Sequence, residues 1–301
     1  MNENPAGVPK GEPLQRYPES LTLVRHAESR YNSLKNTAKK WPEAQRFQEA
    51  FTRELYVAEG IPRPDIAVEV LEKRWPSPEL KELALGYFRK INDLMQGVSD
   101  YDTPITDEGW RQARETGKRI ADVVPKPDII YVSPYLRPHQ TLEGILENAP
   151  PDWKHVPQWE SEAIREQEHD MNTVFNDWRL SYVFEPMEML HSLKEGEYSY
   201  RYKGGESRFD VRTRTSRFIG KLRRKHEGEN VLAVTHHLTI LATLGELLHW
   251  NREQFMEWDE KRKPANSSVT LLKREKGVSR TGRDLLQFDP EKYSMKLYGS
   301  E

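Results

Sequence analysis

Two short apolar runs, one near each end of the chain, both finish on a histidine. Leu21-Thr22-Leu23-Val24 leads into Arg25-His26, and Val231-Leu232-Ala233-Val234 leads into Thr235-His236. Runs like these, β-branched and without polar alternation, suit strands buried on both faces, and such strands belong to parallel sheets covered by helices. Open α/β sheets bind ligands at the carboxyl ends of their strands. The pattern therefore predicts two imidazoles at one crevice edge, one of them beside an arginine. That combination suits phosphoryl chemistry.

The intervening chain alternates strands with helices, which predicts a three-layer α/β domain: a mostly parallel sheet with helices on both faces. Residues 1–19, broken by Pro5, Pro9, Pro13 and Pro18, read as an N-terminal tail, and 20–301 as the single domain. A helical insertion at about 33–100 follows the first strand. One of its helices follows Pro42 and puts Phe47, Phe51 and Leu55 on one face. Another starts at Ser77-Pro78, a cap followed by a first-turn proline, and carries Leu80, Leu83, Ala84, Tyr87, Phe88, Ile91, Leu94 and Met95 at helical period up to Gly97. Thr106 caps a helix with a buried stripe of Trp110, Ala113, Gly117 and Ile120. A strand at 129–132 turns through Ser133-Pro134 into a helix, and Val156 and Trp159 fit a short strand. The stretch 167–203 has no clean period and reads as an irregular excursion. A helix from Ser207 to His226, a strand at 231–235, a helix at 239–250 and a late edge strand at Val269–Leu272 complete the expectation.

Composition removes several classes of function. The 301 residues are 31% charged yet carry a formal net charge of only −2, so the overall field predicts no nucleic-acid partner. No apolar run approaches the roughly 18 residues of a membrane span, and Met1 to Tyr17 lacks an apolar signal core. With no cysteine there is no disulfide, thiol nucleophile or thiolate metal site. The expectation is a cytoplasmic protein without a membrane partner.

Candidate chemistry lies at five places. A neutral His26 can attack phosphorus if a backbone carbonyl holds its other ring nitrogen. Arg25 beside it would lower the imidazole pKa and stabilise phosphoryl oxygens. Asn32 could add a neutral donor. Arg137, in the first turn of a helix, offers a fork where an anion also gains the helix N-terminus. His236 could hold the transferring group from the side opposite Arg25. His237 is a second candidate ligand, although its neighbouring position favours packing or surface. Glu166 suits a proton donor to a leaving group, with Glu162, Glu168 and Asp170 as local competitors. No third ligand stands at helical spacing from His236-His237, so no metal is expected. No other cofactor is implied. Aromatics at Phe175, Trp178, Tyr182, Tyr198 and Tyr202 suit packing beneath the insert better than a leaving-group pocket, and Arg201 and Lys203 read as solvated charge or a second phosphate contact.

In chain order these motifs resemble the histidine phosphatase superfamily, in its phosphoglycerate-mutase-like branch with an RHG box. Leu23 to Asn32 is similar to the opening box, and Thr103-Pro104-Ile105-Thr106-Asp107-Glu108-Gly109 with Gln112-Ala113 to the first helix start. Ser133-Pro134-Tyr135-Leu136-Arg137 with Gln140-Thr141 resembles the second-arginine box. Ile164-Arg165-Glu166, Gly204-Gly205-Glu206-Ser207 and Val234-Thr235-His236 resemble the acid, late-helix and second-histidine motifs. The resemblance implies His26 as phosphorylated nucleophile, Arg25, Arg137 and His236 as phosphate clamp, and Glu166 as proton donor. Asn32, Glu206 and His237 are implied at substrate-binding positions. Ala27, His237 and Asp170 stand where the family usually has glycine, and the insert is far longer than the family's usual link. It is expected to cap the pocket or to join copies of the chain.

These features imply a metal-independent phosphatase acting on a phosphorylated small molecule or protein through a phosphohistidine. A phosphoglycerate-type mutase, or a catalytically weak binding or scaffold protein on the same fold, are the alternatives.

Overall fold

The computed structural model describes residues 17–55, 75–169, 177–275 and 285–299. Its centre is a six-stranded sheet of β1 (Ser20–Arg25), β2 (Ile129–Val132), β3 (Gln158–Glu160), β4 (Asn230–Thr235), β5 (Val269–Glu275) and β6 (Leu285–Phe288), in the order β3-β2-β4-β1-β5-β6. The pairs β3–β2, β2–β4 and β4–β1 are parallel, and β5 and β6 are antiparallel. The first and fourth strands are thus direct neighbours in register, Arg25 opposite Thr235. Their next residues, His26 and His236, leave the sheet side by side.

Alternation along the strands assigns the layers. Leu21, Leu23, Tyr131, Val231 and Ala233 face one core, filled by Val211, Phe218 and Leu222 of α8 (Arg208–Lys225) and by Leu238 and Leu241 of α9 (His237–Leu247). Val24, Ile130, Val132, Leu232 and Val234 face the other, against Ala113 and Ile120 of α4 (Asp107–Val123) and Leu142 and Ile145 of α5 (Leu136–Asn148). The chain is therefore an α/β sandwich with helices on both faces. The contact between α4 and α5 is close because Gly117 has no side chain: a Cβ there would collide with the Ile145 carbonyl oxygen.

The insertion builds a core of its own. It contains α1 (Arg30–Ala38), α2 (Pro42–Leu55) and α3 (Pro78–Met95). Phe47 and Phe51 of α2 and Leu80, Ala84, Tyr87 and Ile91 of α3 pack with Leu180, Tyr182 and Val183 of α6 (Trp178–Phe184) and Met189 and Leu190 of α7 (Pro186–Glu195). Ser77 caps α3 as expected, and the helix ends at Gln96, which takes a left-handed conformation (φ 55°) just before Gly97. Fully burying each phenylalanine is worth roughly 2 kcal/mol.

The structure departs from the sequence reading in several places. The stretch 167–203 is not irregular throughout, since α6 and α7 lie within it. Seven and ten residues broken at Pro186 are too short to show a period. Val269–Leu272 is not an edge strand: β5 runs on through charged Lys273 to Glu275, and β6 covers it. The helix expected at 239–250 starts at His237 and stops at Leu247, and Asn251 caps a further helix, α10 (Arg252–Lys261). Trp110 is only half-buried, and Val156 lies just outside β3. Phe175, Asp170 and most of the tail fall outside the described residues. Among the described residues no helix is long and apolar enough to cross a membrane.

Candidate active site

The two imidazoles that leave β1 and β4 meet with ring centroids 5.2 Å apart and planes at 59°. Both are buried. His26 Nδ1 lies 2.8 Å from the carbonyl of Ala27. If Nδ1 carries the proton and donates it to that carbonyl, the Nε2 lone pair is left free, the tautomer an attack on phosphorus requires. Burial lowers the His26 pKa well below the usual histidine value, and Arg137, His236 and Arg25 lower it further. The ring is therefore neutral near pH 7. Ala27 is not among the residues with positive φ, so an alanine after the histidine costs no backbone strain here. Its N–H donates to Thr141 Oγ1 (2.9 Å), and the Thr141 hydroxyl donates to the Arg137 carbonyl (2.7 Å), tying the first histidine loop to α5.

His236 Nε2 lies 2.8 Å from the Ser133 hydroxyl. With that hydroxyl donating, the ring proton sits on Nδ1, which faces Glu166 Oε2 at 3.3 Å. Burial pushes His236 down to about 4, Glu166 pulls it back up, and Arg137 adds to the fall. Burial pushes the Glu166 carboxyl up, but His236, His237 and Arg137 outweigh it and hold the group well below the usual carboxylate range. The site thus pairs a neutral imidazole with an ionised carboxylate.

Two guanidinium groups complete the cluster. Arg25 donates from Nη1 to the Pro264 carbonyl (2.6 Å), and its buried Nε has no partner among the described residues. Burial lowers its pKa to about 10, against the pull of Glu166, so it stays charged at neutral pH. Arg137 is buried over the Tyr135 ring, with Nη2 3.8 Å from Glu166 and Nη1 donating to the Asp100 carbonyl (2.6 Å), 3.2 Å from the Asp100 carboxylate. Two fixed cations, a neutral imidazole and one carboxylate have the charge and donors to receive a tetrahedral dianion. One ligand atom each of His26, Glu166 and His236 lies within 4.8 Å of the others, a spacing that could also hold a cation. The guanidinium groups beside them raise the cost of a divalent ion and favour an anion.

The structure thus brings together His26, Arg25, Arg137, His236 and Glu166. The three remaining candidates border this cluster and are bonded to other protein groups. Asn32 closes a capping box on α1 with Ser29, and its Oδ1 also accepts from Asn266 Nδ2 (3.0 Å), leaving only its amide nitrogen to donate to a ligand. Both oxygens of Glu206 accept from protein donors. Oε1 accepts from Arg165 (2.9 Å) and Arg214 (3.0 Å), and Oε2 from the Glu168 N–H (3.2 Å) and Arg214 Nη2 (3.2 Å). His237 opens α9 with Nε2 facing Asp259 Oδ1 at 3.4 Å, and Asp259 is itself paired with Arg208 (2.8 Å). Side chains at adjacent positions diverge, which sends this ring to α10 while His236 enters the cluster.

Glu206 belongs to a harness around the acid loop. Arg214 donates to the carbonyls of Ala163 (3.1 Å) and Glu166 (2.9 Å), Thr235 to Ile164 (2.6 Å) and Thr239 to Arg165 (2.8 Å). Sequence reasoning missed Ser133, Arg214, Thr239 and Asn266 as members of the site. Ser133 was visible only as a turn residue. Arg214 sits among Arg208, Arg212 and Arg217 on one helix, and nothing in its type separates it from solvated neighbours.

The sequence model of the histidine phosphatase superfamily (branch 1) matches residues 90–282, well over half of the chain, and the chain belongs to that superfamily. The match begins beyond β1, so it is the β1–β4 pairing that brings Arg25 and His26 to the matched part. The chain is 34% identical over 157 residues to the 2,3-bisphosphoglycerate-dependent phosphoglycerate mutase 2 of Gloeobacter violaceus, covering 51% of this chain and 68% of that one. It is 29% identical over 179 residues to the phosphoglycerate mutase-like protein AT74H of Arabidopsis thaliana, covering 52% of this chain. It spans only 60% of AT74H and 57% of the related Arabidopsis protein AT74. Among solved structures, the alpha-ribazole phosphatase of Shigella flexneri superposes with a TM-score of 0.55 at 15% identity, over 94% of this chain and 99% of that one. A mycobacterial glucosyl-3-phosphoglycerate phosphatase bound to inorganic phosphate gives the same TM-score and identity, over 94% and 100%. At such identities the likeness is one of fold.

Proposed function

We propose that the protein is a metal-independent phosphomonoesterase that works through phosphorylated His26. The observation that carries this reading is the His26 ring itself: neutral, with Nδ1 on the Ala27 carbonyl, between two arginines and 5.2 Å from His236. A substrate phosphate enters between Arg25 and Arg137 and accepts from His236 Nδ1. Its negative charge beside Glu166 raises the carboxyl pKa, so the acid gains its proton as substrate binds. His26 Nε2 attacks phosphorus in line, the ester P–O bond breaks, and Glu166 passes its proton to the leaving oxygen. In the second step water attacks the phosphohistidine, Glu166 takes the water proton, the P–N bond breaks, and phosphate and neutral His26 are released.

The test is acid-quenched trapping of phosphoenzyme from a panel of phosphorylated metabolites and phosphopeptides, scored together with phosphate release. His26→Ala is expected to abolish the adduct and lower turnover on the order of 10⁴-fold. Undiminished turnover in His26→Ala would sink the reading. A mutase reading is favoured by one observation, the 34% identity to the Gloeobacter mutase. Isomerisation of a phosphoglycerate without net phosphate release would select it. The absence of cysteine fits work in a reducing cytoplasm.

A further inference from the structure

A cavity of about 290 Å3 opens between the acid loop, the 201–206 segment and α8, bordered by Arg165, Arg201, Arg214 and Arg217 with Glu206 and Asp210. Neither candidate imidazole nor Arg137 borders it. Four guanidinium groups border it with two carboxylates, and Glu168 pairs with Arg165 from outside (3.2 Å), so a local surplus of one positive charge remains, in a chain whose net charge is −2. Asp210, Arg214 and Arg217 recur at helical spacing, so α8 turns one polar stripe toward the space. The arginines are unequally committed. Arg165 and Arg214 are held by Glu206, and Arg214 also by the carbonyls of Ala163 and Glu166. Arg201 is mostly exposed and bonds Asp210 through one edge, with Nε at 2.9 Å. Arg217 is exposed and makes no hydrogen bond or ion pair among the described residues.

We propose that this cavity is a second anion site, for a small polyanion with adjacent phosphate groups, gripped by the free fork of Arg217 and the outer edge of Arg201. Guanidinium forks match phosphate oxygens in geometry as well as charge. Two forks, Arg217 and the outer edge of Arg201, suit a ligand with two adjacent anionic groups, and the size sits at the lower edge of small-molecule sites. The site is also wired to the chemistry. Arg165 precedes Glu166 in the chain, and Arg214 holds the Glu166 carbonyl at 2.9 Å. A bound polyanion competes with Glu206 for both arginines and so shifts the acid loop.

Pyrophosphate titrated calorimetrically into the full chain is expected to fill two sites. Arg201→Gln with Arg217→Gln, both at exposed positions, weakens one by at least about tenfold and leaves the other unchanged. A single-site isotherm in the wild type, or the same two affinities in the double variant, overturns the proposal. The functional arm rests on the phosphatase reading. Pyrophosphate is expected to lower kcat for an alkyl phosphate such as glycerol 2-phosphate, whose leaving oxygen needs the Glu166 proton, at least twofold in the wild type, whereas the double variant shows only the KM rise of competition at the catalytic pocket. An unchanged kcat in the wild type overturns the link to Glu166. If the wild type turns over no ester, the phosphatase reading fails while the isotherms still decide the anion site.

Discussion

Glu206→Ala separates a residue that holds the acid loop from one that holds the substrate. Glu206 accepts from two arginines and one backbone N–H, and its side chain and that of Arg214 are 12% and 8% exposed. Removing one partner of a buried ion pair costs about 3–5 kcal/mol, because the remaining charge is left uncompensated. The slight exposure of this pair puts the expected loss near the lower end, at about 3 kcal/mol. That corresponds to a fall in Tm on the order of 5–10 °C in thermal unfolding. The same cut frees Arg165 and Arg214, the two guanidinium groups that brace the backbone around Glu166. A displacement of the acid by ~1 Å costs about 10²-fold in rate. The loss should fall on kcat, and more heavily on alkyl phosphates, whose leaving oxygen needs a proton, than on p-nitrophenyl phosphate, whose phenolate leaves unaided. Thermal unfolding and paired kinetics on the two ester types read both effects. A variant with unchanged Tm and kcat but a raised KM would refute the reasoning and return Glu206 to the substrate.

Stability should rise with pH up to about 6.5. His236 keeps a pKa of about 4 in the fold, so below its unfolded value the denatured chain binds a proton that the native one refuses. About 3 kcal/mol is lost between pH 6.5 and 4 from this ring alone; His26 acts in the same direction, and urea midpoints that are flat across that range would contradict both. Asp100→Asn should tighten inhibition by inorganic phosphate roughly fivefold, since a half-exposed carboxylate now shares the Arg137 fork; weaker inhibition would show Asp100 helping to bind the anion. Gly117→Ala should destabilise by about 1–3 kcal/mol in urea, because its methyl meets the Ile145 carbonyl oxygen. Turnover should survive exhaustive dialysis against chelator, and activity restored only by added divalent metal would give the His26–Glu166–His236 cluster a different role.

What was legible in the sequence was set by local physics. β1 and β4 announced themselves because strands buried on both faces must be apolar throughout, and caps such as Ser77, Thr106 and Ser207 marked helix starts through side chains that bond their own backbone. His26, Arg25, Arg137 and His236 stood at strand ends and a first helical turn, where position alone carries meaning. The rest depends on what meets what. Glu206 carried the right residue type, yet its partners Arg165 and Arg214 lie on other segments, so position along the chain did not disclose whether it faces ligand or protein. His237 differs from His236 by a single step, and only the side taken by its ring separates a pocket residue from a partner of Asp259. The helices α6 and α7 bury residues against the insertion rather than the sheet, so their pattern answers a neighbour the local sequence does not contain.

The pairing of β1 with β4 also explains how the chain carries so long an insertion. About 200 residues separate the ends of these strands, and the entropic cost of closing such a loop grows only with the logarithm of its length. Adding the insert to the shorter connection of a relative raises that cost by about 0.3 kcal/mol, far less than one buried phenylalanine returns. The extra helices carry their own apolar core, so they draw little from the sheet. The contact between His26 and His236 is thus long in sequence and short in space. Pairings of such high sequence separation slow folding, so the β1–β4 pairing is expected to form more slowly than the local helix pairs of the insertion.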